Sequence, residues 1–336
     1  LAPKEFLSMP SNQPYAELTP SVVLEAVDGF GLRTDGRILA LNSYENRVYQ
    51  LGLEDDGFVV AKFYRPGRWT DAAILEEHAF AEELNAREVA VVAPIAAANG
   101  NTLHAHGGYR FAVFPRQGGR WPELGCADDR LRMGRMLGRL HAAGAVRPFE
   151  HREDLSPSRL GDDSVEFIRG SRWLPAHLLE SYGAVTQQLL EAVEQSFAET
   201  GSLRMLRIHG DCHPGNVLWT DSGPHFVDLD DCVNGPAVQD LWLFLSGERA
   251  ARSAQLKDLL EGYGQFFDFD PRELRLIEAL RSLRMLHHSA WIARRWSDPA
   301  FPRAFPWFET NKYWEEQVLG LKEQLGALAE PPLELA

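Results

Sequence analysis

The chain has 336 residues, 45% hydrophobic and 24% charged, enough to bury a sizeable core in one large domain or two lobes without disulfides. Its 34 Lys and Arg against 48 Asp and Glu give a net charge of −14, which excludes nucleic acid and anionic membrane as broad partners. Cys126, Cys212 and Cys232 form neither a disulfide framework nor a zinc spacing, and the longest apolar run, residues 89–98, is short and broken by Pro94. The expectation is a cytoplasmic protein with no membrane span, and a monomer.

The first ~20 residues read as irregular. Thr19-Pro20 is an N-cap with proline at the first helical position, so Ser21–Phe30 is expected as a helix closed by Gly31. Arg37–Leu41, Asn46–Leu53 and Gly57–Tyr64 read as strands, with Asp56-Gly57 as a hairpin turn. A helix follows over Asp71–Asn85, then strand character over Val89–Ala97, Thr102–His106 and Gly108–Pro115. Beyond Gly118 the period becomes helical: Asp128–Ala143, Leu178–Glu199, Pro271–Trp296 and Asn311–Ala329, interrupted by a β-like insert over Met205–Asp231. The fold class is therefore α+β, with a β-rich lobe over residues 1–116 and a helical lobe over 117–336, joined at Arg116-Gln117-Gly118-Gly119.

The chemistry concentrates in His209-Gly210-Asp211-Cys212-His213-Pro214-Gly215-Asn216 and in Phe226-Val227-Asp228-Leu229-Asp230-Asp231. Short apolar stretches flank both, and a hairpin-like path brings Asp211, Asn216 and Asp228 to one end of a small sheet. Such a set suits phosphoryl transfer. One carboxylate orients and deprotonates an attacking hydroxyl, while an amide oxygen and a second carboxylate supply hard oxygen ligands for Mg²⁺. Upstream, Lys62 stands inside an apolar strand, where a cation can reach nucleotide phosphates, with Glu76 and Glu77 available on the following helix. His209 and His213 read as braces of the loop. Asp240 is either a buttress of that loop or an ordinary first-turn carboxylate, and Asp230 reads as a solvated turn residue. Cys212 and Cys232 read as buried small hydrophobes. The late aromatics, Trp291 to Trp314, either pack C-terminal helices or wall an acceptor cleft, where Arg294 and Arg295 would attract an acidic or phosphorylated target; the acidic remainder of the chain favours basic substrates instead.

The pattern His-Gly-Asp-x-His-x-Gly-Asn, with a later Asp, resembles the protein-kinase-like fold in its aminoglycoside-phosphotransferase and choline-kinase branch. Further blocks, Leu41–Gln50, Lys62–Pro66, Ile74–His78, Asn234–Trp242, Trp296–Pro302 and Glu330–Leu333, resemble a bacterial protein-kinase member of that branch over nearly the whole chain. The resemblance implies a bilobal fold and an ATP- and Mg²⁺-dependent kinase. It would be cytoplasmic, act on Ser/Thr of protein substrates and protect under stress. Asp211 then matches the proton acceptor, and Asn216 and Asp228 the magnesium ligands. Lys62 matches the phosphate-binding lysine, Glu77 its helix partner in preference to Glu76, and Ser43 a nucleotide contact. Adenine is expected between the lobes, against the backbone from Phe114 through Arg116 to Gln117. Two departures stand out: no Gly-x-Gly-x-x-Gly covers the phosphates, so Asn42–Arg47 must, and Asp228 precedes Leu-Asp-Asp rather than Phe-Gly. The alternatives are a kinase of a small alcohol, such as homoserine, choline or an aminoglycoside, and a hydrolase with a metal on His209, Asp211 and His213. A non-catalytic nucleotide-binding module is the last.

Overall fold

The structure, a computed structural model, describes residues 13–335. The earlier part of the expected irregular N-terminus lies outside the described residues. In chain order the elements are α1 (Pro20–Phe30), β1 (Thr34–Ala40), β2 (Arg47–Leu53), β3 (Phe58–Phe63), α2 (Asp71–Ala86), β4 (His104–His106), β5 (Tyr109–Pro115), α3 (Ala127–Gly144), α4 (Asp163–Arg169), α5 (Leu179–Thr200), β6 (Leu206–Ile208), β7 (Val217–Thr220), β8 (Gly223–Phe226), β9 (Val233–Gly235), α6 (Gln239–Trp242), α7 (Arg249–Tyr263), α8 (Ile277–Arg294), α9 (Ala300–Ala304) and α10 (Asn311–Leu328). The Thr19 hydroxyl caps α1 and Gly31 closes it at φ 109°, as the sequence signals require.

One expected strand is absent. Val89–Ala97 pairs with its neighbours at isolated points, among them a bridge from Val91 to Phe226 and a bond from the Ile95 amide to the Val113 carbonyl. Pro94 lacks the donor that a ladder needs, which is why the apolar run stays irregular. The helix expected from Pro271 begins instead as a tight 3₁₀ turn over Pro271–Leu276, capped by Asp270, before α8. The sequence reading placed no helix at α7, where only Leu256, Leu259, Gly262 and Tyr263 are buried and the periodic signal is thin.

The chain divides into two compact units. One comprises the described residues up to Trp69, Ile95–Arg116 and Ile292–Phe308; the other comprises Thr70–Pro94, Gln117–Trp291 and the described residues from Glu309. This differs from a cut at 116/117 in two segments. α2 belongs with the helical unit, where Phe80, Ala81 and Leu84 join its core, and Ile292–Phe308 belongs with the β-rich unit.

The β-rich unit is an antiparallel sheet ordered β1-β2-β3-β5-β4. Period-two alternation sends Leu51, Val59, Ala61, Phe63, Phe111 and Val113 into a core shared with Val23 and Val27 of α1. Lys62 lies on the opposite face, registered between Val48 and Ala112, and is 5% exposed. The returning Ile292–Phe308 segment is fastened by charge. Asp298, 1% exposed, takes Arg47 on Oδ1 and Arg65 on Oδ2, both at 2.6 Å. Glu45 takes Arg65 at 3.0 Å and Arg295 at 2.5 Å, and the guanidinium of Arg47 lies 4.3 Å over the Tyr15 ring. Phe305 packs on Tyr44, so the late aromatics around it form the core of this segment.

In the helical unit α3 and α7 approach so closely that a methyl at Gly134 would lie 2.0 Å from the Leu259 carbonyl oxygen. Glu273, 3% exposed, accepts the Val238 amide at 2.8 Å and so anchors the turn that begins α6.

Two outcomes follow from these buried acids. Asp298→Ala leaves two guanidinium groups without their carboxylate, and urea denaturation should show a loss of roughly 3–5 kcal/mol; a change under about 1 kcal/mol would contradict the role. Burial pushes the Glu273 carboxyl up to about 7, above its ordinary 4.5. The folded state thus binds the proton more tightly than the unfolded one, and the stability owed to this group falls as pH rises through that interval. Glu273→Gln removes the dependence, so its stability relative to wild type should rise by roughly 2–3 kcal/mol between about pH 4.5 and about pH 8. A pH-independent difference in melting would contradict this.

Candidate active site

Asn216 ends a short 3₁₀ turn, and β7 starts at the next residue. β7 and β8 pair antiparallel with Val217 opposite Phe226, and the Val227 amide then donates to the Asn216 carbonyl. That register sets Asn216 beside the chain leading into Asp228. The Asn216 side-chain amide donates to the Asp211 carbonyl at 3.0 Å and approaches Asp211 Oδ2 at 3.5 Å. The three chemistry-bearing residues are thereby gathered at one end of the hairpin.

The loop between them is held from below by Asp240. This carboxylate is fully buried and accepts the amides of His209 at 2.7 Å and Gly210 at 2.9 Å, and His141 Nε2 at 3.1 Å. Gln239 adds a bond to the Gly210 carbonyl at 2.9 Å. Of the two readings of Asp240, the buttress is the one seen. Gly210 sits at φ 84°, and a Cβ there would lie 2.1 Å from the Asp231 carbonyl oxygen, so only glycine lets the two loops meet. His209 is a brace, because its Nε2 lies 3.0 Å from the Val227 carbonyl, an acceptor that only an N–H can satisfy. His213 accepts the Gly215 amide on Nδ1, which puts the ring proton on Nε2, 3.4 Å from Asp211 Oδ2.

Asp211 is partly exposed. Burial by itself would raise its pKa, but the His213 hydrogen bond and the Arg284 charge outweigh it and hold the carboxyl well below the usual range. Arg284, from α8, reaches Asp211 Oδ1 at 2.5 Å. The sequence reading missed this residue, since nothing in the helical period of α8 marks it.

Asp228 holds a left-handed backbone, φ 59° and ψ 63°, unusual for a residue with a side chain and concentrated at functional sites. Asp230 is not a solvated turn residue: it is 2% exposed, and its carbonyl accepts Arg152 Nη1 at 2.7 Å. Arg152, also missed, binds the Ala73 carbonyl, the Cys232 carbonyl and Glu77 Oε2 at 2.9 Å. It ties α2 to the loop after Asp228. Glu76 accepts the backbone amides of residues 150, 151 and 152. Burial pushes the thiols of Cys212 and Cys232 up, so they stay protonated.

In the β-rich unit, the Ser43 hydroxyl donates to the Asn46 carbonyl at 3.2 Å, which tightens the turn before β2. Lys62 Nζ lies 5.0 Å from the Tyr64 ring. Phe114 is registered with Val60 in the β3–β5 ladder, and Arg116 Nε donates to Gln50 at 3.1 Å. Arg295 is paired with Glu45, which corrects its expected place as an attractor of acidic targets.

The donor set fits a hard divalent cation. The amide nitrogen of Asn216 is engaged with Asp211, so its oxygen is the atom left to ligate, and Asp228 adds a carboxylate. A chelate on His209, Asp211 and His213 does not fit, because the His209 ring is buried and bonded to Val227; among the described residues no group of three His, Cys, Asp or Glu is placed to hold a metal. Among the same residues no helix is long and apolar enough to cross a membrane.

The chain is 45% identical over 321 residues to stress response kinase A of Escherichia coli (strain K12), covering 96% of this chain and 97% of that one. It is 44% identical, at the same coverage, to the serine/threonine protein kinase RdoA of Salmonella typhimurium (strain LT2). Its fold is similar to that of amicoumacin kinase hAmiN, solved in complex with AMP-PNP, Ca²⁺ and Ami, with a TM-score of 0.73, 16% identity and coverage of 93% of this chain and 94% of that one. Residues 37–277 match the phosphotransferase enzyme family, and the chain, with its mixed α+β fold, belongs to that family of kinases.

Proposed function

We propose that this phosphotransferase uses ATP with Mg²⁺ and transfers the γ-phosphoryl group to Ser or Thr hydroxyls of protein substrates, in the cytoplasm and as part of stress protection. The observation that carries the chemistry is the grouping of Asp211, Asn216 and Asp228 at one end of the β7–β8 hairpin. The protein acceptor is supported by the likeness to a relative named as a serine/threonine protein kinase, which extends over 96% of the chain.

In this reading Asp211 orients the acceptor hydroxyl and takes its proton at a carboxylate oxygen. Its ionised state is secured by His213 and Arg284. Asn216 and Asp228 hold the magnesium ion, which when bound neutralises charge on the phosphate oxygens. The proposed nucleotide contacts of the β-rich unit are Ser43, Lys62 and the backbone at Phe114 and Arg116, with Glu77 as a supporting carboxylate. Asp240 and His209 keep the loop in one conformation before substrate arrives, so little reorganisation is left for the reaction itself.

The test is transfer of label from γ-labelled ATP to generic acidic and basic proteins and to a panel of small alcohols, with wild type and Asp211→Asn. Label on Ser or Thr that falls by roughly 10²–10⁴-fold in the variant is the expected result. Label only on a small alcohol would overturn the acceptor class, and near-normal transfer by Asp211→Asn would remove Asp211 from its role.

A further inference from the structure

Asp211 has two oxygens, and both are engaged. Oδ2 faces His213 at 3.4 Å and Asn216 at 3.5 Å, while Oδ1 carries Arg284 at 2.5 Å. A hydroxyl that is to be deprotonated must come within hydrogen-bond reach of one of them, and on Oδ1 it must either share the oxygen with a guanidinium or displace it. His213 and Asn216 belong to the same short turn as Asp211, and backbone bonds fix both. Arg284 is different. It arrives from α8 on a long side chain that is 44% exposed, and Asp211 is its only ion-pair partner among the described residues.

The face of α8 that carries Arg284 also carries aromatic rings. Arg281, Arg284, His288 and Trp291 recur on α8 at spacings of three, four and three, which puts them on one face. Arg281 is held by Glu278 at 3.2 Å and lies 5.3 Å over Trp242. His288 stacks on Trp291 with ring centroids 5.8 Å apart. Arg281 is paired with Glu278 and burial lowers the pKa of His288, which leaves Arg284 as the charge of this face that meets the proposed proton acceptor. A guanidinium that leaves one carboxylate is best satisfied by another, through the same charge-assisted bonds.

We propose that Arg284 recognises the acceptor: it binds an acidic side chain next to the Ser or Thr to be phosphorylated, and in doing so withdraws from Asp211 and opens Oδ1 to the hydroxyl. The inference rests on the protein-kinase reading and narrows it to acidic segments. Until such a segment binds, Arg284 occupies the place of the hydroxyl. This couples recognition of the right acceptor to exposure of the base.

The experiment uses three fluorescent peptides, each with one Ser, flanked on both sides by Glu, Gln or Lys. Their binding to the full chain with Mg²⁺ and AMP-PNP is followed by anisotropy. In wild type the Glu peptide should bind at least ~10-fold more tightly than the Gln peptide. In Arg284→Gln that advantage should fall to about twofold or less, Arg284→Lys should keep part of it, and the loss should reappear in KM for the Glu peptide. Unchanged nucleotide binding shows that the variants are folded. Equal binding of Glu and Gln peptides by wild type, or a preference that survives Arg284→Gln, would overturn the proposal. Label transfer is scored separately. Charge-selective binding without phosphorylation of the bound Ser would reject the protein-kinase reading and leave Arg284 as a receptor for acidic segments.

Discussion

The carboxylate of Asp240 is the constraint on which the rest of the site depends. It is fully buried, and its two oxygens serve three donors, two of them consecutive backbone amides of the proposed catalytic loop. A buried carboxylate with that many donors fixes a loop more firmly than side-chain packing can, because any displacement strands a charge in a poorly solvated place. The constraint passes upward through His209 to the Val227 carbonyl, next to Asp228, and through Gly210 to the close approach of the Asp231 carbonyl. It passes downward through α6 to Glu273, which accepts the amide of Val238. The positions of Asp211, Asn216 and Asp228 are therefore set by groups that need never touch a substrate.

A second set of buried charges organises the β-rich unit. Leu41–Gln50, Lys62–Pro66 and Trp296–Pro302 are far apart in sequence, and each supplies a member of one cluster: Glu45 and Arg47, Arg65, and Asp298. Chemistry explains why these stretches belong together. Each carboxylate is shared between arginines, so removing one partner leaves the others uncompensated. Ser43 and Asn46 lie in the same turn, and Asn46 Oδ1 accepts the Arg65 amide at 3.0 Å. The turn proposed to cover the phosphates thus lacks glycines but is stiffened by polar bonds to its neighbours.

Much of this was legible in the residues. Strand alternation, the Asp-Gly turn and the Thr-Pro helix start report local preferences, and local preference decides them. The grouping of Asp211, Asn216 and Asp228 was legible because acidic and amide residues framed by apolar strands are hard to explain otherwise. What was not legible is tertiary. Asp240 read equally well as a first-turn carboxylate, since a periodic pattern does not reveal which donors a buried face meets. Arg152 and Arg284 reach partners 75 and 73 residues away, and no spacing rule links them to those partners. Pro94 stands in the run Val89–Ala97, and its missing donor outweighs the run's apolar content. The membership of Ile292–Phe308 in the β-rich unit follows from Asp298, whose partners lie more than 230 residues upstream.

The most direct measurement is on Asp240→Asn, which keeps size and shape but gives one acceptor oxygen where two served the loop. Hydrogen exchange at the His209 and Gly210 amides and the rate of phosphoryl transfer would be read on the same protein, with nucleotide binding as the check on folding. The account predicts faster exchange at both amides and transfer slowed by at least ~10²-fold while nucleotide still binds. Wild-type transfer with freely exchanging amides would contradict it, because the loop would then do its work without the carboxylate that holds it.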